Sequence, residues 1–122
     1  MVDPAPRLKV LFIEDEPALR LSYERFFRSR FDMAFAASGA EALALLGSRE
    51  PDIVVLDMRL PDTDGIDLLR RIRQVTSGLP VIITTAYLSI EPQLRVLGLP
   101  FAGYFLKPFD LDALGACIDG CR

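Results

Sequence analysis

The sequence predicts an α/β fold in which a five-stranded parallel sheet carries helices on both faces. Three observations lead there. Apolar runs that suit strands alternate with amphipathic stretches that suit helices, five times in succession. Two of the runs, Ile53 to Leu56 and Val81 to Ile83, have no polar member, as strands covered on both faces should not. The runs also end in side chains that carry chemistry: Glu14 and Asp15, Asp57, Thr85 and Lys107. In a parallel sheet with right-handed crossovers every strand's carboxyl end opens on one rim, so these groups share an edge.

Taken in order, Leu8 to Ile13 is the first strand, stopping at Glu14, Asp15, Glu16 and Pro17. Pro17 suits the first turn of a helix that runs to about Ser29 and packs through Leu19, Tyr23, Phe26 and Phe27. Met33 to Ala37 is a weaker strand. Gly39 to Leu46 is a short helix with Leu43 and Leu46 inward, and Gly47 is expected to close it. The third strand ends at Asp57. Pro61, Asp62, Asp64 and Gly65 follow as turn formers, with Asp64 placed to cap a helix from Gly65 to Val75 whose spine is Ile66, Leu69 and Ile72. Pro80 opens the β-branched run from Val81 to Thr85. Residues 89–98 predict a poor helix, interrupted by Pro92 and stopped by Gly98 and Pro100. Gly103 to Leu106 is a short fifth strand ahead of Lys107-Pro108, and Asp110 caps a last helix to about Asp119, with Leu111, Leu114 and Ile118 facing in.

The totals bound the function. A chain of 122 residues predicts one domain across 1–122, with 1–7 as an N-terminal extension, and buries roughly two thirds of its unfolded surface without a staple. Its apolar runs are too short to span a bilayer and its start lacks a signal-peptide core, so a cytoplasmic, non-membrane protein is expected. A net charge of -3 with scattered basic residues argues against nucleic-acid binding by this domain. Cys117 and Cys121 read as reduced, small apolar residues. With no histidine, imidazole catalysis is excluded, and chemistry must come from carboxylates, hydroxyls, lysine or a bound cation. Taken alone, Asp57 reads as a strand end facing water; the other strand ends change that.

Those residues, in that order, resemble the receiver domain of two-component response regulators, from Lys9 to about Ile118. The matching pieces are Phe-Ile-Glu-Asp-Glu-Pro around Glu14 and Asp15, Leu-Asp-Met-Arg-Leu-Pro-Asp-Thr-Asp-Gly around Asp57, Thr-Ala at 85 and 86, and Tyr-Phe-Leu-Lys-Pro-Phe from 104 to 109. Each is weak alone; four in order at strand ends are specific. The resemblance implies a flavodoxin-like (βα)5 three-layer sandwich with a parallel five-stranded sheet of order 2-1-3-4-5, which brings Glu14, Asp15 and Asp57 to the switch point.

Three converging carboxylates repel one another, so one takes a proton or a cation joins them, and oxygen-only ligation suits Mg²⁺. The resemblance implies that Asp15 and Asp57 ligate Mg²⁺ directly with the Arg59 backbone carbonyl, and that Glu14 acts through water. It makes Asp57 the phosphoacceptor, served by a sensor histidine kinase or phosphotransfer protein, and Lys107 a point contact to carboxylate or phosphoryl oxygen. Lysine occurs only at Lys9 and Lys107 among fourteen basic residues, so its use here is specific. The resemblance further implies a cis Lys107–Pro108 bond, and that Thr85 and Tyr104 are the switch pair. By strand alternation Thr84 is expected to point away from the site.

Glu14 stands where many family members have aspartate, which predicts tuning of the metal site. The segment 98–103 departs from the family pattern and predicts a short or displaced fourth helix. Ile90, Leu94, Leu97, Leu99, Phe101 and Tyr104 suggest an apolar face on helix four, strand five and helix five, through which phosphorylation would control an output domain, a partner or a homodimer. The resemblance implies that Arg59 and Tyr87, two residues past Asp57 and Thr85, shape water access to the acyl phosphate, and their bulk predicts a long-lived phosphoryl group. Two other readings compete. A haloacid-dehalogenase-like phosphatase would use Asp62-Thr63-Asp64-Gly65, but Arg59, Leu60 and Pro61 separate that signature from the strand and the chain has no room for a cap. A receiver-like interaction module that is not phosphorylated would keep the fold without the full set of acids, threonine and lysine. The expectation is a phosphoacceptor switch and not a turnover enzyme.

Overall fold

A computed structural model of the protein describes residues 7–121. Most of the expected N-terminal extension, 1–6, lies outside them. Strands and helices alternate strictly: β1 (Lys9–Ile13), α1 (Pro17–Phe27), β2 (Asp32–Ala36), α2 (Gly39–Arg49), β3 (Ile53–Asp57), α3 (Gly65–Val75), β4 (Val81–Thr85), α4 (Ile90–Val96), β5 (Gly103–Leu106) and α5 (Leu111–Gly120). All strand pairings are parallel and the order is β2-β1-β3-β4-β5, the flavodoxin-like topology. β1 and β3 therefore neighbour one another at the sheet's centre while their connections leave in opposite directions, which opens a crevice at their carboxyl ends.

Strand alternation divides the core in two. Leu11, Ile13, Val54, Leu56, Val81 and Ile83 face α2, α3 and α4 in an aliphatic cluster with Ala42, Leu46, Ile66, Leu69, Ile72 and Leu94. Val10, Phe12, Ile53, Val55 and Ile82 face the other way, onto Tyr23 and Phe27 of α1 and Leu114 and Ile118 of α5. Every residue of β3 and of β4 is buried, which accounts for their unbroken apolar runs.

Several elements differ in detail from expectation. β2 begins one residue early, at Asp32. Gly47 does not close α2: the helix continues to Arg49, and the left-handed residue that ends it is Glu50, at φ 47°. A glycine two turns into a helix breaks it only if packing does not carry it, and Leu46 beside it is buried in the core. Phe26 does not join the buried stripe of α1. Its ring stays 44 % exposed and packs edge-on against Phe27, with centroids 5.0 Å apart. Of the six apolar residues assigned to a face around α4, Leu94 is fully buried and Ile90, Leu99, Phe101 and Tyr104 pack on the core; only Leu97 is exposed. The apolar surface there comes instead from Leu88, Val96, Leu97 and Leu106. α4 is short, as its prolines and glycine imply, and Gly98 ends it at φ 66°. No helix among the described residues is long and apolar enough to cross a membrane.

Candidate functional site

Glu14 follows β1 directly and Asp57 is the last residue of β3. The register that pairs Ile13 with Leu56 sets Glu14 beside Asp57, and the β3–β4 register sets Asp57 beside Thr84. Glu14 is 1 % and Asp57 5 % exposed, so two carboxylates are drawn from water side by side. Asp15, the next residue, is exposed. One oxygen from each of Glu14, Asp15 and Asp57 lies within 4.8 Å of the others.

Two buried anions need compensation. Lys107, just past β5, supplies it: Nζ donates to Glu14 Oε1 at 2.9 Å and lies 3.3 Å from Asp57 Oδ2. The second oxygens accept backbone N–H groups, Glu14 Oε2 from Glu16 at 3.1 Å and Asp57 Oδ1 from Arg59 at 3.3 Å. Burial raises the Glu14 carboxyl above its ordinary value, opposed by the Lys107 hydrogen bond and reinforced by the Asp57 charge. Burial also works against the Lys107 ammonium, but the Glu14 hydrogen bond and the Asp57 charge outweigh it and hold the amine above its usual range. The Lys107–Pro108 bond is cis.

These groups line an open cavity of about 300 Å³ together with Arg59, Leu60, Pro61, Ala86 and Tyr87. Arg59 and Tyr87 meet across it, Nη1 donating to the tyrosine hydroxyl at 3.0 Å. An oxygen-only donor set, open to solvent on one side, fits a hard divalent cation such as Mg²⁺ that keeps several waters.

The structure does not bring every expected residue to this cavity. The Thr85 side chain is buried and its hydroxyl accepts the Tyr87 N–H at 3.1 Å. Tyr104, on β5, donates its hydroxyl to the Tyr87 carbonyl at 2.9 Å. Both touch the loop after β4 and neither lines the acid cavity. Thr84 corrects an expectation: it shares the face of its register partner Asp57 and of Ile82, and its hydroxyl reaches the Leu56 carbonyl at 3.5 Å. Alternation was counted correctly from Thr85, but Asp57 lies on the α1 side of the sheet and Thr85 on the α3 side.

Asp62, read only as a turn former, has a larger part. Oδ1 accepts the Gly39 N–H at 2.8 Å and Oδ2 the Ala40 N–H at 3.1 Å, so the loop that carries Arg59 is tied to the N-terminus of α2. Nothing in a local window reveals a cap whose donors are twenty-three and twenty-two residues away.

The model of the response regulator receiver domain matches residues 10–119. The chain belongs to the response regulator receiver family. Among curated relatives, sporulation initiation phosphotransferase F of Bacillus subtilis is 34 % identical over 87 % of this chain and 86 % of its own length. Regulatory protein AtoC of Escherichia coli is 34 % identical over 90 % of this chain, and transcriptional regulatory protein TrcR of Mycobacterium tuberculosis 36 % identical over 93 %. The chain spans only 24 % and 44 % of those two proteins. Among solved structures, the receiver domain of Francisella response regulator 1452 superposes with a TM-score of 0.85 at 31 % identity, covering 94 % of this chain and 96 % of that one. The non-phosphorylated HemR receiver domain from Leptospira biflexa gives 0.82 at 30 %, covering 94 % of each. Receiver domains are phosphoacceptor switches of two-component systems, typically phosphorylated by a histidine kinase, and bind Mg²⁺ at an acidic pocket. The acid cluster of this receiver domain fits that ion.

Proposed function

We propose that residues 1–122 form one receiver domain, acting in the cytoplasm, that accepts a phosphoryl group on Asp57 from a sensor histidine kinase or phosphotransfer protein. The observation that carries this reading is the convergence of Glu14, Asp15 and Asp57 beside the Lys107 ammonium at one open strand edge. In the reaction an Asp57 carboxylate oxygen attacks phosphorus, the new P–O bond makes an acyl phosphate, and the bond to the donor breaks with its electron pair leaving on the donor. Asp15, Asp57 and the Arg59 carbonyl would hold Mg²⁺ directly, with Glu14 acting through water. That ion supplies charge neutralisation for the transferring group. Lys107 exchanges its carboxylate contacts for a phosphoryl oxygen. Thr85 donates its hydroxyl to the group, giving up the Tyr87 N–H, and Tyr104 follows because it is bonded to the same loop. The domain performs one transfer and a slow loss of the group, and no other turnover.

The readout we propose is the α4–β5–α5 face, where Leu88, Val96, Leu97 and Leu106 are exposed. It would control an output domain, a partner or a homodimer. The test of the chemistry is intact mass after incubation with acetyl phosphate and Mg²⁺, beside Asp57→Ala and magnesium-free controls. One added phosphoryl group that requires both is expected. No adduct, with a working positive control, would leave an interaction module that keeps the fold without being phosphorylated.

A further inference from the structure

The first turn of an α-helix carries N–H groups that no residue within the helix can accept. α2 caps itself in part: the Ser38 side chain takes the Glu41 N–H at 3.2 Å. The Gly39 and Ala40 N–H groups instead donate to Asp62 Oδ1 and Oδ2, at 2.8 and 3.1 Å. A carboxylate that uses both oxygens on adjacent amides is fixed in position and in plane. Gly39 lets the two segments approach, since a Cβ there would come 2.5 Å from Thr63 Cγ2.

Asp62 belongs to the loop that leaves the acid site. The loop starts at Met58, whose N–H donates to the Thr84 carbonyl at 3.1 Å, and it closes on α3 where the Gly65 N–H donates to the Met58 carbonyl at 3.1 Å. Within it Arg59 bridges to Asp64, and the Arg59 N–H reaches Asp57 Oδ1 at 3.3 Å. The crest, 60–63, is held by Leu60 in the core and by Asp62 on α2. A backbone carbonyl has no rotamer with which to meet a cation, so the set of the loop places it.

We propose that Asp62 is a positioning residue for the metal site: by clamping the loop crest to α2 it sets the Arg59 backbone against the acids, and so couples divalent-cation binding to the first turn of α2. The inference rests on the receiver reading of the acid site, in which the Arg59 carbonyl holds Mg²⁺. Coupling between two places in one molecule is reciprocal, so a clamp that strengthens Mg²⁺ binding is itself strengthened by Mg²⁺ to the same factor. The Gly39 and Ala40 amides report the clamp directly, because Asp62 is their acceptor, and Glu41, held by Ser38, is the internal control.

The experiment joins two measurements at constant ionic strength and well below every melting temperature. One is a Mg²⁺ titration by backbone NMR on wild type, Asp62→Asn and Asp62→Ala. The other is solvent exchange of the α2 amides in wild type, with and without Mg²⁺. Asp62→Ala should raise the Mg²⁺ dissociation constant about fivefold, the low end for coupled sites because Asp62 faces water. Asp62→Asn, which keeps an acceptor for Gly39, should fall between it and wild type. Saturating Mg²⁺ should slow exchange at Gly39 and Ala40 by about the factor that Asp62→Ala loses, and leave Glu41 unchanged. An Asp62→Ala variant that melts lower yet binds Mg²⁺ as wild type does would overturn the proposal and leave a plain helix cap. Exchange at Gly39 and Ala40 that ignores Mg²⁺ overturns it as well, and that arm decides the matter even where a substitution fails to fold. Wild type that binds no Mg²⁺ defeats the receiver reading of the site, whereas wild type that binds beside an Asp62→Ala variant that binds equally defeats only the role of Asp62.

Discussion

Lys107 is the residue on which the resting site depends. Its ammonium is the cation facing both Glu14 and Asp57, and those carboxylates are almost wholly buried. Lys107→Met leaves two buried anions side by side, which costs about 2 kcal/mol once its own partial exposure is discounted. The melting temperature should therefore fall in metal-free buffer, and millimolar Mg²⁺ should recover much of the loss; a deficit that magnesium leaves untouched would contradict this account. Arg59 and Tyr87 close the other side of the cavity through their 3.0 Å hydrogen bond. If Asp57 carries the phosphoryl group as proposed, removing either side chain should expose the acyl phosphate to water and shorten its lifetime severalfold, measured by intact mass against time after donor removal. At this scale the sequence was most legible where chemistry forces residue identity, at the acids and the lysine. It was least legible for Thr84, which fits its local pattern as an ordinary buried β-branched residue and meets Asp57 only through the register of β3 and β4.

The element that carries the site is the loop from Met58 to Asp64, fixed at both ends. Asp64 caps α3 through the Ile66 N–H at 2.8 Å, as its place before an apolar spine announces. Gly65 starts that helix in close contact with Met58: a Cβ there would come 2.5 Å from the Met58 Cα and 2.8 Å from its carbonyl oxygen. Backbone cannot yield as a flexible side chain does, so Gly65→Ala should destabilise by about 2 kcal/mol, read from denaturant midpoints. Asp62 fixes the middle of the loop to α2. The Gly39 and Ala40 N–H groups that it accepts hold its carboxyl below the usual value of 3.8. A carboxyl depressed by folding contributes stability above its unfolded pKa and loses it as pH falls through the folded value. Asp62→Asn should therefore melt below wild type at pH 7, and the gap should close in acid below about pH 4. Equal gaps at pH 7 and pH 3 would show that the charge is not what the helix end uses. The bound of α2 itself was misread because Gly47 advertises a stop that buried Leu46 overrides.

For the whole molecule, the sequence carried the alternation of strands and helices and the parallel sheet, because uniform burial writes itself as uninterrupted apolar runs. Strand order was not in the residues; it came with the family resemblance. The surface around α4 was read poorly, since residues 90–104 hold more apolar side chains than the surface needs and composition does not say which of them the core takes. One long-range contact shows why that region is ordered despite its prolines. Arg73, on α3, donates to the Leu79 carbonyl and, at 3.0 Å, to the Pro100 carbonyl, joining the loops that lead into β4 and β5. Arg73→Ala should loosen residues 97–103 in hydrogen exchange while leaving the acid cluster's exchange rates near wild type.

The division of the core between two faces has a consequence for how the molecule can be watched. Every fully buried aromatic ring, Phe12, Tyr23, Phe27 and Phe31, lies on the α1 and α5 side, while the other side is packed by leucine, isoleucine, valine, methionine and alanine. The chain has no tryptophan to blur the distinction. Near-ultraviolet dichroism therefore reports chiefly the packing of one half of the interior and methyl resonances the other, with the half-buried rings of Phe101 and Tyr104 packed at the edge of that other half. If phosphorylation repacks the α4 side alone, the methyl spectrum changes widely while the optical change is confined to the tyrosine band, so a small dichroism change beside a large methyl one would be a record of where the signal travels.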